Sequence, residues 1–183
     1  MTFCMHAMRN AAHGYAAGVL ALLVARVRTR GRVRAARGVR VGPGVRFDVT
    51  PGGSLTLGAG VVIGERSRFD VAGDVRIGAG TRLGSRCRIG ARERIAIGAR
   101  CVLGDEVVVL DFDHATADVE RPVRLQALLT SPVTIGDGAR LDDAVVVLRG
   151  AEVGPAARVT TRSVVTRNVP DGVTATGVPA SWT

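Results

Sequence analysis

The chain has 183 residues, of which 46% are hydrophobic but only 3% aromatic, and it includes 24 glycines. This length suits one domain, and the scarcity of aromatic residues argues against a large mixed globular core. The formal charge of +9 is unevenly placed, because residues 1–47 hold nine arginines and no acidic residue, whereas the remaining 16 arginines and 16 acids cancel.

The N-terminal segment, residues 1–38, combines an apolar stretch with a run of arginines. We predict a helix over residues 7–30, whose apolar run 16–25 is about half of the roughly 20 residues that span a bilayer. No signal peptide is expected, since a cationic start, an apolar run and a small-residue cleavage site do not follow one another. Residues 7–40 either pack on the following domain or make a peripheral contact with anionic lipid. Nucleic acid is disfavoured, because no aromatic residue is interleaved for base stacking.

Residues 39–169 carry a repeat that is clearest between Val133 and Asn168. A branched or long aliphatic residue returns there at every sixth position, and a small or modest residue follows four positions later. Neither an α-helix nor a long two-faced strand keeps a period of six on one face. A unit of one short strand and one turn is typical of a solenoid with a triangular cross-section, in which three units make one coil. The aliphatic positions predicted to point inward are Ile135, Leu141, Val147, Val153, Val159 and Val165.

Earlier in the repeat the spacing departs from six at regular places. The inward positions Leu57, Ile77 and Ile97 are 20 residues apart, two more than an 18-residue coil. Ile135 follows Ile97 by 38 residues, so 18 more are inserted there. All extra residues therefore fall at one corner of the coil, and we predict that the long loop of residues 110–132 projects from that edge.

The three cysteines, Cys4, Cys87 and Cys101, do not form a disulfide framework. Cys87 and Cys101 each follow an inward aliphatic residue by four positions, which is the small inward slot of the repeat. We therefore predict buried, inert thiols and a reduced, cytoplasmic compartment.

The fold class predicted from these patterns is an all-β, triangular prism solenoid with a short N-terminal helix and a protruding loop. Residues 170–183 show little further repeat and are interpreted as a cap and tail. Such a prism leaves flat faces and end coils open, which favours oligomerisation.

Several motifs occur in the order typical of one family. They are the hexads, the long loop with a histidine (in DFDH at 111–114), SVVT at 163–166, VP at 169–170 and GVPA at 177–180. With them, about residues 39–180 resemble the hexapeptide-repeat acyltransferases, and DFDH followed by RPVRLQ at 121–126 is similar to the branch that acetylates sugars and polysaccharide precursors. The resemblance implies a left-handed parallel β-helix and a homotrimer with active sites between subunits. It also implies acetyl-coenzyme A (acetyl-CoA) as donor and a hydroxyl, or less often an amine, as acceptor.

His114 is the candidate catalytic base. Acyl transfer to a hydroxyl needs a base that takes the proton as the oxygen attacks the thioester, together with N–H donors for the developing oxyanion. His6 and His13 lie in or beside the predicted helix, whereas His114 lies in the long loop and aligns with the family's catalytic histidine. Asp111 or Asp113 would hold the imidazole tautomer. We predict no metal, because the carbonic-anhydrase relatives of this fold need three histidines per zinc and the prism offers only His114.

The resemblance places the donor site on the last coils and the tail. Thr166 and Arg167 follow the SVV motif, Thr161 precedes it, and Asp143 stands where a small residue often lines the groove. Arg167 would meet a coenzyme phosphate as a charge-assisted pair. The alternative is that Thr166 and Arg167 merely turn a corner.

Three hypotheses follow. The first is an enzyme that acetylates a saccharide or a saccharide-linked acceptor with His114 as base. The second is a non-catalytic trimeric scaffold or binding module, because Arg162 is bulky where the pantetheine arm would pass, and because Asp142 and Asp143 would repel a polyanionic cofactor. The third is an enzyme docked on the inner face of a membrane, in which residues 7–40 hold it beside a lipid-linked acceptor.

Overall fold

The computed structural model of the protein describes residues 31–115, 120, 122 and 126–182. The helix predicted over residues 7–30 and most of the RPVRLQ segment lie outside these residues. No helix forms in the described part of the chain. Accordingly, no helix long and apolar enough to cross a membrane is found there.

Short strands stack into three parallel sheets, which we call sides A, B and C of the prism. Each strand pairs with the strand one coil further along, so that Leu57 lies beside Ile77 and Ile97 beside Ile135. Six coils contain a strand on every side, and a seventh is partial. The all-β parallel β-helix predicted from the repeat is therefore confirmed.

The bounds of the strands follow the three sides. Side A consists of β1 (Val33–Ala35), β4 (Ser54–Leu57), β7 (Asp74–Ile77), β10 (Arg94–Ile97), β15 (Val133–Ile135) and β18 (Glu152–Val153). Side B consists of β2 (Arg40–Val41), β5 (Val62–Ile63), β8 (Arg82–Leu83), β11 (Val102–Leu103), β16 (Arg140–Leu141), β19 (Arg158–Val159) and β21 (Thr174–Gly177), with β22 (Ala180–Ser181) antiparallel at its edge. Side C consists of β3 (Arg46–Val49), β6 (Arg68–Val71), β9 (Arg88–Ala91), β12 (Val108–Leu110), β17 (Val146–Val147) and β20 (Val164–Val165).

The core is a column of aliphatic side chains inside the prism. Every inward position predicted from the six-residue period is buried, and so are the small residues four positions later. The buried aliphatic set includes Leu57, Ile77, Ile97, Ile135, Leu141, Val147, Val153, Val159 and Val165.

Two cysteines belong to this core. The side chains of Cys87 and Cys101 are buried and unpaired, as predicted. Burial raises the pKa of the Cys87 thiol to about 11 and also raises the pKa of the Cys101 thiol. Both thiols are therefore protonated at neutral pH, which makes them poor nucleophiles.

Glycines allow the coils to approach closely at the corners. A Cβ on Gly58 would lie 2.6 Å from the backbone nitrogen of Ala79, and one on Gly64 would lie 2.4 Å from the carbonyl oxygen of Gly84. Neither neighbour can retreat, because each is backbone of the next coil. The glycine-rich composition thus fixes the distance between successive coils.

The extra residues of the repeat lie at the corner where side C passes to side A. Ala72 and Gly73 separate β6 from β7, Arg92 and Glu93 separate β9 from β10, and the long loop separates β12 from β15. The predicted common edge is confirmed. The base of the loop adds a feature that the sequence did not predict, an antiparallel hairpin of β13 (Phe112–His114) and β14 (Leu128–Thr130).

Candidate active site

The hairpin β13–β14 presents two of the predicted catalytic residues, Asp113 and His114. Asp113 is exposed and accepts a hydrogen bond from the backbone nitrogen of His114 at 2.8 Å. His114 is half-buried, and its Nδ1 is buried without a hydrogen-bond partner among the described residues. Neither predicted carboxylate therefore bonds to Nδ1. The described residues also contain no group of three potential metal ligands.

Asp111 has a different position from the one its predicted role requires. Its side chain is fully buried, and its two oxygens accept hydrogen bonds from the backbone nitrogens of Arg92 at 2.7 Å and Glu93 at 2.8 Å. Its own carbonyl oxygen accepts a hydrogen bond from the nitrogen of Ser131 at 2.9 Å, which closes the base of the loop. Asp111 thus joins the hairpin to the corner of the preceding coil.

A depression of about 290 Å³ lies beside the hairpin. Phe112 and Asp113 line it from β13, and Leu148, Arg149 and Thr166 line it from the two coils that follow the loop. The fold therefore brings Asp113, a predicted catalytic residue, next to Thr166, a predicted cofactor residue. The two residues lie close together because the loop leaves the prism at the same edge that Arg149 and Thr166 occupy.

A second depression, of about 370 Å³, lies on side B. It contains the other two predicted cofactor residues of the coils, Asp143 and Thr161, beside Arg140 and Arg158. The predicted donor residues are therefore divided between two surfaces of one chain. A larger depression of about 540 Å³, on the first three coils of side A, contains none of the predicted site residues.

Arg167 lies at the edge of the predicted donor site. Its guanidinium carbon is 6.0 Å from the centre of the Trp182 ring, and its side chain is exposed. Trp182 is in turn packed against the core. The tail thus supports the residue that was predicted to meet a coenzyme phosphate.

The acids of side B are engaged in contacts within the chain. Asp142 pairs with Arg158, with a nitrogen–oxygen distance of 2.9 Å. Asp143 accepts a hydrogen bond from the backbone nitrogen of Asp105 at 2.8 Å. Arg162 lies at the same corner, exposed and with a φ of 60°. The carboxylate of Asp143 therefore links two coils, and the charge of Asp142 is offset by its partner.

Sequence reasoning missed several neighbours of the hairpin. The guanidinium of Arg92 lies 4.6 Å from the centre of the Phe112 ring and pairs with Asp70 of the preceding coil. Leu148 and Arg149 line the depression. The register could have found these last two, because they precede the same corner as the loop. The contact of Arg92 with Phe112 has no such signal, since it depends on the direction in which the loop leaves the prism.

No model of a protein family matches the chain. The chain is 33% identical over 144 residues to a probable acetyltransferase of Mycobacterium tuberculosis. The matched region covers 78% of this chain but 48% of that protein, so the chain spans about half the length of the relative.

Solved structures show the same fold. AntD, an N-acyltransferase from Bacillus cereus in complex with dTDP and 3-hydroxybutyryl-CoA, has a TM-score of 0.73 at 15% identity, covering 86% of this chain and 85% of that one. A maltose O-acetyltransferase from Clostridium difficile has a TM-score of 0.64 at 23% identity, covering 69% of this chain and 67% of that one. Hexapeptide-repeat acetyltransferases are also among the proteins with this fold. The resemblance indicated by the motifs is therefore confirmed at the level of the fold.

Proposed function

We propose that this chain is a CoA-dependent acyltransferase that moves an acetyl group from acetyl-CoA to a hydroxyl of a saccharide or saccharide-linked acceptor. Two observations from outside the chain support this proposal. The relative similar in sequence is a probable acetyltransferase, and proteins that share the fold bind an acyl-CoA or acetylate a sugar. The observation within the chain that carries it is the hairpin, which carries His114 and whose Phe112 and Asp113 line a depression together with Leu148, Arg149 and Thr166 of the coils after the loop.

The proposed reaction uses His114 as the general base. Because Nδ1 is buried, we assign the proton-accepting role to Nε2. The acceptor oxygen loses its proton to Nε2 as it attacks the thioester carbonyl, and the carbon–sulfur bond then breaks. The proton on the imidazole passes to the departing CoA thiolate, which leaves His114 neutral for the next turnover.

The proposal includes a homotrimer. One chain holds the hairpin and Thr166 at one depression but Asp143 and Thr161 at another. A neighbouring copy that packs its side B against the hairpin edge would complete one donor site from two chains. Analytical ultracentrifugation should give a mass of about three chains, and a monomer that turns over substrate would contradict this arrangement.

Donor binding is the first test. Calorimetric titration of acetyl-CoA into the protein should show saturable binding, and Arg162→Gly should bind at least as tightly, because it removes a long side chain from the proposed path of the pantetheine arm. Binding by Arg162→Gly alone would mean that the groove is blocked in the natural chain. Binding by neither would contradict the proposed function.

Turnover is the second test. Release of CoA with sugar acceptors should fall about a hundredfold or more in His114→Ala, in keeping with the usual contribution of a general base. His13→Ala is the matched control and should keep full activity. Equal activity in His114→Ala and the unaltered protein would show that His114 is not the base.

The hypothesis of a non-catalytic scaffold is less well supported by the structure than by the sequence. It was motivated by Arg162 and by the two acids, but Asp142 is paired with Arg158 and Asp143 is bonded to the coil before it. The charge of Asp142 is therefore offset before any cofactor arrives, and the carboxylate of Asp143 already accepts a hydrogen bond. Arg162 remains as the observation in its favour, which is why that residue is the one varied in the titration.

A further inference from the structure

Among the described residues, the hairpin β13–β14 is partly exposed. Its second strand is exposed, with relative exposures of 43% at both Leu128 and Leu129. Its first strand carries Phe112, which faces the prism and is half-buried. The direction of β13, and with it the position of the His114 imidazole, therefore depends on what Phe112 packs against.

Arg92 provides that support from the corner of the preceding coil. Its guanidinium carbon lies 4.6 Å from the centre of the Phe112 ring, a distance at which the ring attracts a cation. The ring of Phe112 also passes close to Gly90, because a Cβ there would lie 3.2 Å from Phe112 Cε1. Phe112 is thus confined between the face of Arg92 and the backbone of Gly90.

Arg92 is itself held rigidly. Two of its nitrogens donate to the two carboxylate oxygens of Asp70, both at 3.2 Å, and one nitrogen also donates to the carbonyl oxygen of Ala91 at 3.3 Å. Such a fork fixes the plane of a guanidinium. Its backbone nitrogen donates to Asp111, so one residue is bonded to the coil before it and to the base of the loop after it.

We propose that Arg92, fixed by Asp70, is a positioning residue that acts through Phe112 to fix the position of the His114 imidazole on β13. The proposal rests on the role assigned to His114. It has a structural rival, in which the pair only stabilises its corner, as Arg86 and Glu106 do at 2.8 Å on another corner. A positioning role predicts an effect at the imidazole, whereas a corner role predicts an effect on stability alone.

Kinetics provide the first readout. Arg92→Ala should lower kcat by about tenfold to a hundredfold, because displacement of a catalytic group by about 1 Å can cost that much. The KM for acetyl-CoA should change by less than about twofold, on the order of the scatter between independent sites. Arg92→Lys keeps a cation near the Phe112 ring but cannot donate two parallel hydrogen bonds to the carboxylate of Asp70. Its kcat should therefore lie between the kcat of Arg92→Ala and that of the natural protein. Arg86→Ala, the matched control, should keep the kcat of the natural protein.

Coupling to Phe112 provides the second readout. If Arg92 acts through the ring, then the double variant Arg92→Ala with Phe112→Leu should be no slower than the slower single variant. Independent roles would instead make the two losses multiply. Asp70→Asn repeats the test without altering any atom that touches the ring, which covers the case in which Arg92→Ala does not fold.

The imidazole itself provides a readout that does not depend on turnover. In an NMR spectrum of protein with isotope-labelled histidine, the three histidines give three sets of ring signals. The set that disappears in His114→Gln belongs to His114. That signal should move in Arg92→Ala and Asp70→Asn but not in Arg86→Ala. An unmoved signal would overturn the positioning role, even in a protein with normal activity. A moved signal in a protein without transferase activity would uphold the positioning role and contradict the proposed function instead.

Discussion

Asp111 illustrates how a single side chain in a predicted catalytic motif can serve the fold. The sequence places it three positions before His114, but the structure buries it and uses both oxygens to accept backbone hydrogen bonds. Asp111→Asn should therefore lower the free energy of unfolding by about 1–3 kcal/mol, because one buried N–H then faces an amide nitrogen. Urea denaturation would measure this. Asp105 is exposed and accepts a hydrogen bond from the backbone nitrogen of Ser85. Asp105→Asn should lower the free energy of unfolding by less, and an equal decrease would show that burial of Asp111 does not set the size of the effect.

The Cys87 thiol makes stability depend on pH. Its pKa is about 11 in the folded chain against 9.0 in the reference state, so the unfolded chain loses this proton first as pH rises. The contribution is present below pH 9.0 and is lost as pH rises toward 11. The free energy of unfolding should therefore decrease as the pH rises from 9.0 to about 11. In Cys87→Ala it should decrease less steeply over the same range. The chain has no lysine to obscure the effect, and an identical slope in Cys87→Ala would exclude Cys87 as its cause.

At the scale of elements, the hairpin is the part whose position the sequence could predict but whose form it could not. The spacing of inward residues placed the exit of the loop at one corner, because a period of six is imposed by the coil itself. Pairing of Phe112–His114 with Leu128–Thr130 is antiparallel and belongs to no repeated unit, so the period of the coils does not predict it. For the same reason, DFDH marked His114 but not the contacts of Phe112.

Gly90 tests whether the hairpin is seated by close packing. A Cβ there would lie 2.7 Å from Leu110 Cδ2 and 3.2 Å from Phe112 Cε1, so Gly90→Ala pushes on both residues at the start of the loop. It should lower the free energy of unfolding by about 1–3 kcal/mol through overpacking and lower kcat with it. Gly52→Ala is the control, since its Cβ would meet only a carbonyl oxygen at 3.6 Å. Equal effects of the two substitutions would show that close packing of Leu110 and Phe112 on Gly90 does not hold the hairpin in place.

At the scale of the whole molecule, the repeat made the fold predictable and left the site incomplete. The prism follows from local rules that are repeated coil after coil, so inward positions such as Leu57 and Val159 could be assigned from spacing alone. The division of Asp143 and Thr166 between two depressions depends on which side of the prism each residue faces. Motif order along the chain does not contain that information.

Charge is also distributed along the axis of the prism. Among the described residues, those up to residue 104 include 14 arginines and five acids, whereas those after it include five arginines and ten acids. The two halves therefore carry net charges of opposite sign. The first coil is the most basic, and its three strands each carry an exposed outward arginine, namely Arg34, Arg40 and Arg46.

This polarity bears on the expectation of a peripheral membrane contact. Replacement of the three strand arginines of the first coil by serine should weaken binding to vesicles that contain anionic lipid by about a hundredfold, because each arginine near such a surface contributes about 1 kcal/mol. Sedimentation with vesicles at low and high salt would measure it. The matched variant replaces three arginines of the later coils by serine, at Arg140, Arg162 and Arg167. Equal loss in both variants would mean that net charge, and not the basic end, attracts the protein to lipid.

The close approach of the coils at their glycine corners fixes the distance along the axis between the first coil and the loop. Each coil adds about 4.8 Å along the axis, and the hairpin leaves the prism three coils after the first. The loop therefore leaves the prism about 14 Å from the basic end, a height set by the backbone of the coils. Under the hypothesis of an enzyme docked on a membrane at that end, a lipid-linked acceptor would have to extend about this far to reach the loop. Insertion of one more coil before the loop would lengthen the required tether by about 5 Å without touching a catalytic atom.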